Sequence, residues 1–181
     1  MFWGCMMNNY YVLFVKTGYE ESIVRRVKGM IDPNILLPFM PYKEKIFLYK
    51  GSRILKLELC FPGYIFIETK LSPEIFILEI STIFKQNGWK FSIVNYGSKN
   101  DIVIHKEDRE LLLKMLNNQF CIEQSKGFIV GDKIRVKTGA LVGRESLIRK
   151  VNRHKREALI ELDFMGGKRQ IIVALEILEK V

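Results

Sequence analysis

The sequence predicts an α+β fold, with an N-terminal mixed-sheet α/β sandwich followed by a small five-stranded β-barrel. Two observations predict this class. Residues 1–118 alternate β-rich runs with amphipathic helical patterns, whereas residues 128–181 contain short alternating strands separated by glycines. Residues 119–127 follow no clear period. We therefore expect two domains, over residues 1–118 and 128–181, joined by a linker over residues 119–127.

The N-terminal part has the order β-α-β-β-β-α-β-α. Its strands are expected at residues 10–16, 35–49, 53–59, 64–68 and 91–94, and its helices at residues 19–31, 72–86 and 106–116. The second helix has a favourable start, because Ser72 suits the cap, Pro73 the first helical position and Glu74 the first turn. A helix-crossing unit that occurs twice around an antiparallel core predicts helices packed on a mixed sheet.

The C-terminal part is expected to be a barrel, because a closed sheet leaves no exposed edge strand. Its strands are expected at residues 133–137, 145–151, 157–164, 169–173 and 176–178. The glycine-bounded segment 139–143 could be mistaken for a phosphate-binding loop. It lacks the GK[ST] ending and a following helix, so it is predicted to form a tight turn.

The composition favours a polyanionic partner. The net charge is +9, from 29 Lys and Arg against 20 Asp and Glu, and the pI is near 9.5. Such a balance is typical of proteins that bind nucleic acid, although clustering of the charge matters more than the total.

Several classes of site are not expected. The cysteines Cys5, Cys60 and Cys121 form no C-x-x-C pair, and His105 and His154 lie far from them in the sequence. We expect reduced thiols in a cytoplasmic protein, with no metal site and no cofactor. No apolar segment is long enough to span a membrane. No catalytic motif such as G-x-S-x-G, a Walker loop or H-E-x-x-H is present, so we do not expect an enzyme.

The densest cluster of cations lies between two predicted C-terminal strands. Long cations on a short turn can bind several phosphates, although a solvated hairpin tip is the more common fate of such a run. Arg135 and Lys137 alternate on one strand and could border the patch. The candidate nucleic-acid-binding residues are Arg144, Arg149, Lys150, Arg153, His154, Lys155, Arg156, Lys168 and Arg169.

Four aromatic residues form a second candidate site. Phe14 lies on the first strand, and Phe61, Tyr64 and Phe66 lie around the FPGY segment. Tyr64 and Phe66 share one face of their strand, because strand side chains alternate. Core packing is the simpler interpretation, whereas a face that no helix covers would be a protein-binding patch.

The segments YYVLFVKTGYE, FPGYIFIE and GDKIRVKTGALVGRES, in this order and spacing, resemble the NusG family of transcription elongation factors. The resemblance spans nearly the whole chain. Residues 1–118 are similar to the NusG N-terminal domain, and residues 128–181 are similar to a KOW domain. The stretch RKVNRHKREALIEL is most similar to the specialised LoaP-type antiterminators.

The resemblance implies a function for both candidate sites. Phe14, Phe61, Tyr64 and Phe66 match the apolar patch that binds the clamp helices of RNA polymerase. The basic KOW residues match a surface that recognises a nascent RNA hairpin. The implied protein is a monomeric, operon-specific antitermination factor. The alternative is a general NusG-type elongation factor whose KOW domain binds a protein partner.

Two other classes are weaker alternatives, and two departures limit the resemblance. A ribosome-associated KOW protein would not need the large first domain, and an RNA-modifying enzyme would need a catalytic motif. In the RfaH paralog a His-Thr-Thr trio makes a second polymerase contact, whereas residues 75–79 here read IFILE. RfaH also refolds its C-terminal domain into helices, whereas the alternating strands here favour a permanent barrel.

Overall fold

A computed structural model describes residues 8–96 and 101–180. The chain divides into two compact units. The first contains the described residues through Met40 together with Phe61–Arg109, and the second contains Pro41–Cys60 together with the described residues from Glu110 onward. The N-terminal cysteine, Cys5, lies outside the described residues.

Helices and strands are interspersed in the first two thirds of the chain, and the elements after that are almost all strands. The first are β1 (Asn9–Val15), α1 (Glu20–Met30), β2 (Leu36–Phe39), β3 (Tyr42–Tyr49), β4 (Ser52–Leu59), β5 (Tyr64–Thr69), α2 (Pro73–Gln86), β6 (Phe91–Ile93) and α3 (Lys106–Met115). The others are β7 (Cys121–Ile122), β8 (Ser125–Val130), β9 (Lys133–Thr138), a 3₁₀ turn (Glu145–Leu147), β10 (Ile148–Asn152), β11 (Glu157–Phe164) and β12 (Gly167–Lys180).

The predicted strand over residues 35–49 is two strands in different sheets. β2 pairs with β5, whereas β3 pairs with β4 and β7. The chain leaves the first sheet at Pro41, whose carbonyl accepts a hydrogen bond from the Cys60 amide. Pro38 is tolerated within β2 because β2 is the edge strand of its sheet, where a missing amide donor breaks no ladder.

The first unit is a four-stranded sheet in the order β2-β5-β1-β6. All three strand pairings are antiparallel, so this sheet is not the mixed sheet that the sequence predicts. β1 and β2 therefore run in the same direction on either side of β5, and α1 connects them. β5 and β6 likewise flank β1 and are connected by α2. The repeated helix-crossing unit is thus present, and each crossover spans an intervening strand, which makes neighbouring strands antiparallel.

One face of this sheet packs against α2. The ring of Tyr11 on β1 stacks on the ring of Phe76 with a centroid distance of 3.8 Å. The Tyr11 hydroxyl donates a hydrogen bond to the Leu71 carbonyl at 2.9 Å. Burial raises the pKa of Tyr11 to about 12. Side chains along a strand point alternately to the two faces of the sheet, so Phe14 lies on the face opposite to that of Tyr11 and α2.

The second unit contains a three-stranded sheet in the order β4-β3-β7 and a five-stranded sheet in the order β10-β11-β12-β8-β9. β12 is one continuous strand where two strands were predicted. It stays extended along its whole length because it has a strand partner in both of its parts. Its first part pairs antiparallel with β11, and from Leu175 it pairs parallel with β8.

β8 occupies part of the segment for which the sequence predicts a linker. Close packing of two backbones allows this strand to form, and the alternation of side chains in the sequence does not predict such packing. A Cβ on Gly127 would lie 2.4 Å from the Arg135 carbonyl oxygen of β9, so only glycine allows these strands to approach.

The sheet does not close into the predicted barrel among the described residues, where β9 and β10 are its two edges. The predicted strand 145–151 begins only at Ile148, because Glu145–Leu147 form the 3₁₀ turn. The Glu145 carboxylate accepts a hydrogen bond from the Val136 amide of β9 at 3.0 Å. This hydrogen bond lowers the pKa of Glu145. A side chain therefore satisfies an amide that strand pairing would satisfy in a closed sheet.

The segment 139–143 is a tight turn, as predicted. The Leu141 amide donates to the Ser125 hydroxyl at 3.0 Å, so this donor already has a partner. Gly139 has a φ of +93°, and a Cβ there would lie 2.3 Å from the Gln124 carbonyl oxygen and 2.5 Å from the Ser125 Cα. Both neighbours are backbone atoms that cannot rotate away.

We expect Gly139→Ala to lower the free energy of unfolding by about 2–4 kcal/mol, since left-handed strain and overpacking act together. Gly166→Ala is the matched control, because Gly166 has a φ of +70° but faces open space. It should cost only about 1 kcal/mol. Urea unfolding measures both, and equal costs would show that the contact with Ser125 is unimportant.

Candidate functional site

A partly exposed pair of aromatic rings lies at one end of the sheet face opposite α2. Phe14 and Tyr64 are direct partners across β1 and β5. Their ring centroids lie 5.2 Å apart in a tilted arrangement. Phe14 is 45% exposed, and Tyr64 is half-buried. The pair is a small apolar surface of the kind that proteins use for binding.

The other two predicted aromatic residues are buried. Phe66 is 0% exposed and Phe61 is 7% exposed. The Phe66 ring lies 5.7 Å from the Phe61 ring and 5.6 Å from the Phe39 ring. Tyr64 and Phe66 share a face, as the alternation predicts, but only the outer end of that face is open. Phe61 and Phe66 therefore belong to the core and not to the exposed surface.

Hydrogen bonds from backbone groups fix the position of Gly63, which directly precedes Tyr64. The Gly63 amide donates to the Glu20 carboxylate at 2.5 Å, and the Gly63 carbonyl accepts from the Val15 amide at 2.8 Å. The Gly18 amide donates to the other Glu20 carboxylate oxygen at 2.6 Å. Glu20 was not among the residues predicted from the sequence, because a glutamate in the first turn of a helix is ordinary.

The basic turn connects β10 to β11 in the second unit. The Lys155 amide donates to the Asn152 side-chain oxygen at 3.0 Å, and the Arg156 amide donates to the Arg153 carbonyl at 3.3 Å. Arg153, His154 and Lys155 are exposed. Short-range hydrogen bonds thus fix the backbone of the turn and leave these three side chains in solvent.

A β-bulge brings two more cations to the surface of β10. The register shifts between Ile148 and Lys150, and Arg149 is the extra residue. Both Arg149 and Lys150 are exposed. Within the described residues, the cations on β10 and in the turn that form no ion pair are Lys150, Arg153 and Lys155, and His154 lies between the last two.

The carboxylate of Glu161 engages two of the predicted RNA-binding cations. Its Oε1 accepts from Arg149 Nε at 3.3 Å and from Lys168 Nζ at 3.2 Å. Its Oε2 accepts from Gln170 Nε2 at 3.3 Å. These hydrogen bonds, from Gln170 first and then from Lys168, lower the pKa of Glu161. Glu161 was also missed by the sequence reasoning, since its partners come from two other strands.

The remaining predicted cations have other neighbours. Arg156 forms an ion pair with Glu176 at 2.5 Å. Arg144 donates to the carbonyls of Ala140 and Val142 in its own turn. Arg169 pairs with the buried Leu162 across β11 and β12, and its Nε is buried without a partner among the described residues. Arg156 and Arg144 are therefore less available to a phosphate than the turn cations are.

The described residues contain neither a metal cluster nor a reactive thiol. In residues 8–96 and 101–180, no three His, Cys, Asp or Glu side chains are grouped so that they could hold a metal ion. Burial raises the pKa of Cys60 to about 12 and that of Cys121 to about 11. Both thiols therefore stay protonated at neutral pH. In the same part of the chain, each helix is too short or too polar to cross a membrane.

The family comparison covers the unit that carries the ring pair. The model of a family described as "Transcription termination factor nusG" matches residues 8–112, which are more than half of the 181-residue chain. A search of curated proteins finds no match. The matched range includes β1, β5, Phe14 and Tyr64, whereas the basic turn lies beyond it. The chain therefore belongs to the NusG family of transcription factors.

Proposed function

We propose that this protein is an operon-specific antitermination factor that binds RNA polymerase through Phe14 and Tyr64 and a nascent RNA hairpin through its basic turn. The proposal is carried by the presence, in one NusG-family chain, of a partly exposed ring pair and of a cluster of cations that form no ion pair among the described residues. We further propose that residues 128–181, which lie within the second unit, are the KOW domain of the chain, and that residues 119–127 connect it to the N-terminal domain.

The polymerase contact is supported by the construction of the ring pair. Aromatic side chains are rigid, so they lose little conformational entropy on binding, and they contribute strongly to the energetics of many interfaces. Phe14 and Tyr64 already contact each other and lie on a β-sheet, so little rearrangement is needed when a helical partner docks. Phe61 and Phe66 complete the proposed site as its buried support.

The RNA contact is supported by three cations on β10 and the turn that follows it. Lys150, Arg153 and Lys155 form no ion pair within residues 8–96 and 101–180, so each can approach a phosphate at little cost. The deep major groove of A-form RNA excludes most side chains, so we expect contacts with backbone phosphates and with a loop or bulge. Arg149 and Lys168 would join the site only if RNA displaced Glu161.

The two contacts together give a mechanism that needs no bond-making chemistry. A ligand shifts an equilibrium only by its differential affinity for the two states. A factor that binds the elongating polymerase more tightly than the paused one therefore favours elongation. RNA bound by the second unit raises the local concentration of the first unit near polymerase, because linked weak sites act together.

A protein partner for the second unit is the competing function, and an exposed apolar side chain on β12 favours it. Ile172 on β12 is 42% exposed and lies opposite Leu159 on β11. Two side chains are a small patch compared with a typical protein interface. Ile172→Ser leaves the basic turn intact, so it should affect only the binding of a protein.

Binding assays with the intact protein test the proposal. We expect the protein to co-elute with RNA polymerase core enzyme, and to retain hairpin RNA in a salt-dependent manner. Duplex DNA of the same length and charge is the control for simple attraction between charges. Binding to neither polymerase nor RNA would contradict the proposal, and equal affinity for RNA and DNA would contradict its RNA part.

A further inference from the structure

A buried glutamate lies beneath the exposed ring pair. Glu20 is 2% exposed, although charged side chains are seldom buried without a specific partner. Its two carboxylate oxygens accept hydrogen bonds from two backbone amides, those of Gly18 and Gly63. Gly63 is 43 residues away along the chain. Glu20 thus joins the turn after β1 to the turn before β5.

The backbone of Gly63 packs against the ring of Phe14. A Cβ at Gly63 would lie 2.8 Å from Cε2 of Phe14 and 3.2 Å from Oγ1 of Thr17. The bare backbone of Gly63 therefore contacts one edge of the Phe14 ring, and Tyr64 follows directly in the chain. A shift of Gly63 would move both rings of the pair.

Only a carboxylate satisfies both turns. The Gly18 and Gly63 amides are both donors, at 2.6 and 2.5 Å from the Glu20 oxygens, which are short, charge-assisted distances. Both glycines have left-handed φ angles, +92° and +87°, so their amides point where an ordinary strand would not direct them. A glutamine at position 20 would present one acceptor and one donor to two donors.

We infer that Glu20 is a positioning residue for polymerase binding, which fixes Gly63 and through it the relative placement of Phe14 and Tyr64. This inference rests on the proposed polymerase contact. Glu20 itself is buried and does not touch the partner. Its role is to keep the ring pair in its binding geometry before the partner arrives, which reduces the entropy that binding must remove.

The test compares Glu20→Gln with Glu21→Gln in titrations against RNA polymerase core enzyme. Both variants remove one negative charge from the same helical turn, but Glu21 is exposed. We expect Glu20→Gln to weaken binding about tenfold, which corresponds to about 1.4 kcal/mol, and Glu21→Gln to change it less than twofold. Phe14→Ala is measured in the same series.

An NMR readout separates positioning from general stability. In Glu20→Gln the amide proton resonances of Gly18 and Gly63 should move upfield, since a charged acceptor is removed, while resonances of the Tyr11–Phe76 core stay unchanged. If Glu20→Gln binds normally while Phe14→Ala does not, the inference is wrong and the proposed contact stands. If Phe14→Ala also binds normally, the proposed contact fails and the inference fails with it.

Two further measurements decide the matter if Glu20→Gln does not fold. Glu20→Asp keeps the charge but is one methylene shorter, so it cannot reach both amides and should also weaken binding; normal binding by this variant would overturn the inference. Hydrogen exchange on the unaltered protein should show the Gly63 amide protected like those of β1. Exchange as fast as that of Gly166, which lies in an exposed turn, would also overturn it.

Discussion

Replacing both Phe14 and Tyr64 by alanine is expected to weaken binding to RNA polymerase at least about 100-fold while the protein stays folded. Interface residues of this type each contribute about 2 kcal/mol or more when they occupy the centre of a contact. Phe14 is 45% exposed, so its removal leaves no enclosed cavity. Titration against polymerase core enzyme, with melting temperature measured in parallel, checks both parts of the expectation.

Phe66→Ala is the matched control, because it removes an aromatic ring from the same sheet face at a buried position. Phe66 is fully buried against Phe39 and Phe61. Its truncation should cost about 3–5 kcal/mol of folding free energy, through reduced burial and the cavity left behind. Unfolding by the Phe14/Tyr64 variant, or normal polymerase binding by it, would contradict the assignment of the ring pair.

Replacing Lys150, Arg153 and Lys155 together by alanine is expected to weaken RNA binding strongly and to flatten its dependence on salt. For every phosphate that the variant no longer neutralises, the slope of log K against log salt should fall in magnitude by about 0.7–0.9. A slope that stays the same in the triple variant would show that these cations do not bind phosphates. The measurement is a series of titrations with hairpin RNA at several salt concentrations.

Variants around Glu161 test which other cations take part. Arg149→Ala removes the same charge as one member of the triple variant, but Arg149 already pairs with Glu161, so a smaller effect is expected. Glu161→Gln should instead strengthen RNA binding, because it frees Arg149 and Lys168. Asp163→Asn on the same strand has an equal effect on net charge and forms no ion pair among the described residues. Equal increases in affinity in both variants would show that only total charge matters.

Periodicity was sufficient to predict most of the first unit. The helix start at Pro73 and the alternating strand β11 were predicted where they occur, because side-chain patterns determine both. β8 was not predicted, since the close approach of two backbones at Gly127 leaves no side-chain signal. The division of residues 35–49 between two sheets was also missed, because partner choice depends on residues distant in the chain.

The candidate sites show the same limit. Alternation placed Tyr64 and Phe66 on one face, but it could not reveal that Phe39 and Phe61 cover Phe66 and leave Tyr64 open. The basic run was visible in the sequence, whereas the pairing of Arg149 and Lys168 with Glu161 depends on strand register. Glu20 gave no signal, because its role arises from a hydrogen bond to Gly63 across 43 residues.

We expect RNA bound by the second unit to direct this polymerase-binding factor to particular transcripts. A termination assay in vitro tests it most directly, on two templates that differ only in whether the transcript carries, upstream of the terminator, the hairpin that binds the protein most tightly. The protein should increase readthrough only on the template with the hairpin, and the Phe14/Tyr64 variant and the triple basic variant should each lose this effect. Equal readthrough on both templates, or a basic-turn variant as active as the unaltered protein, would contradict it.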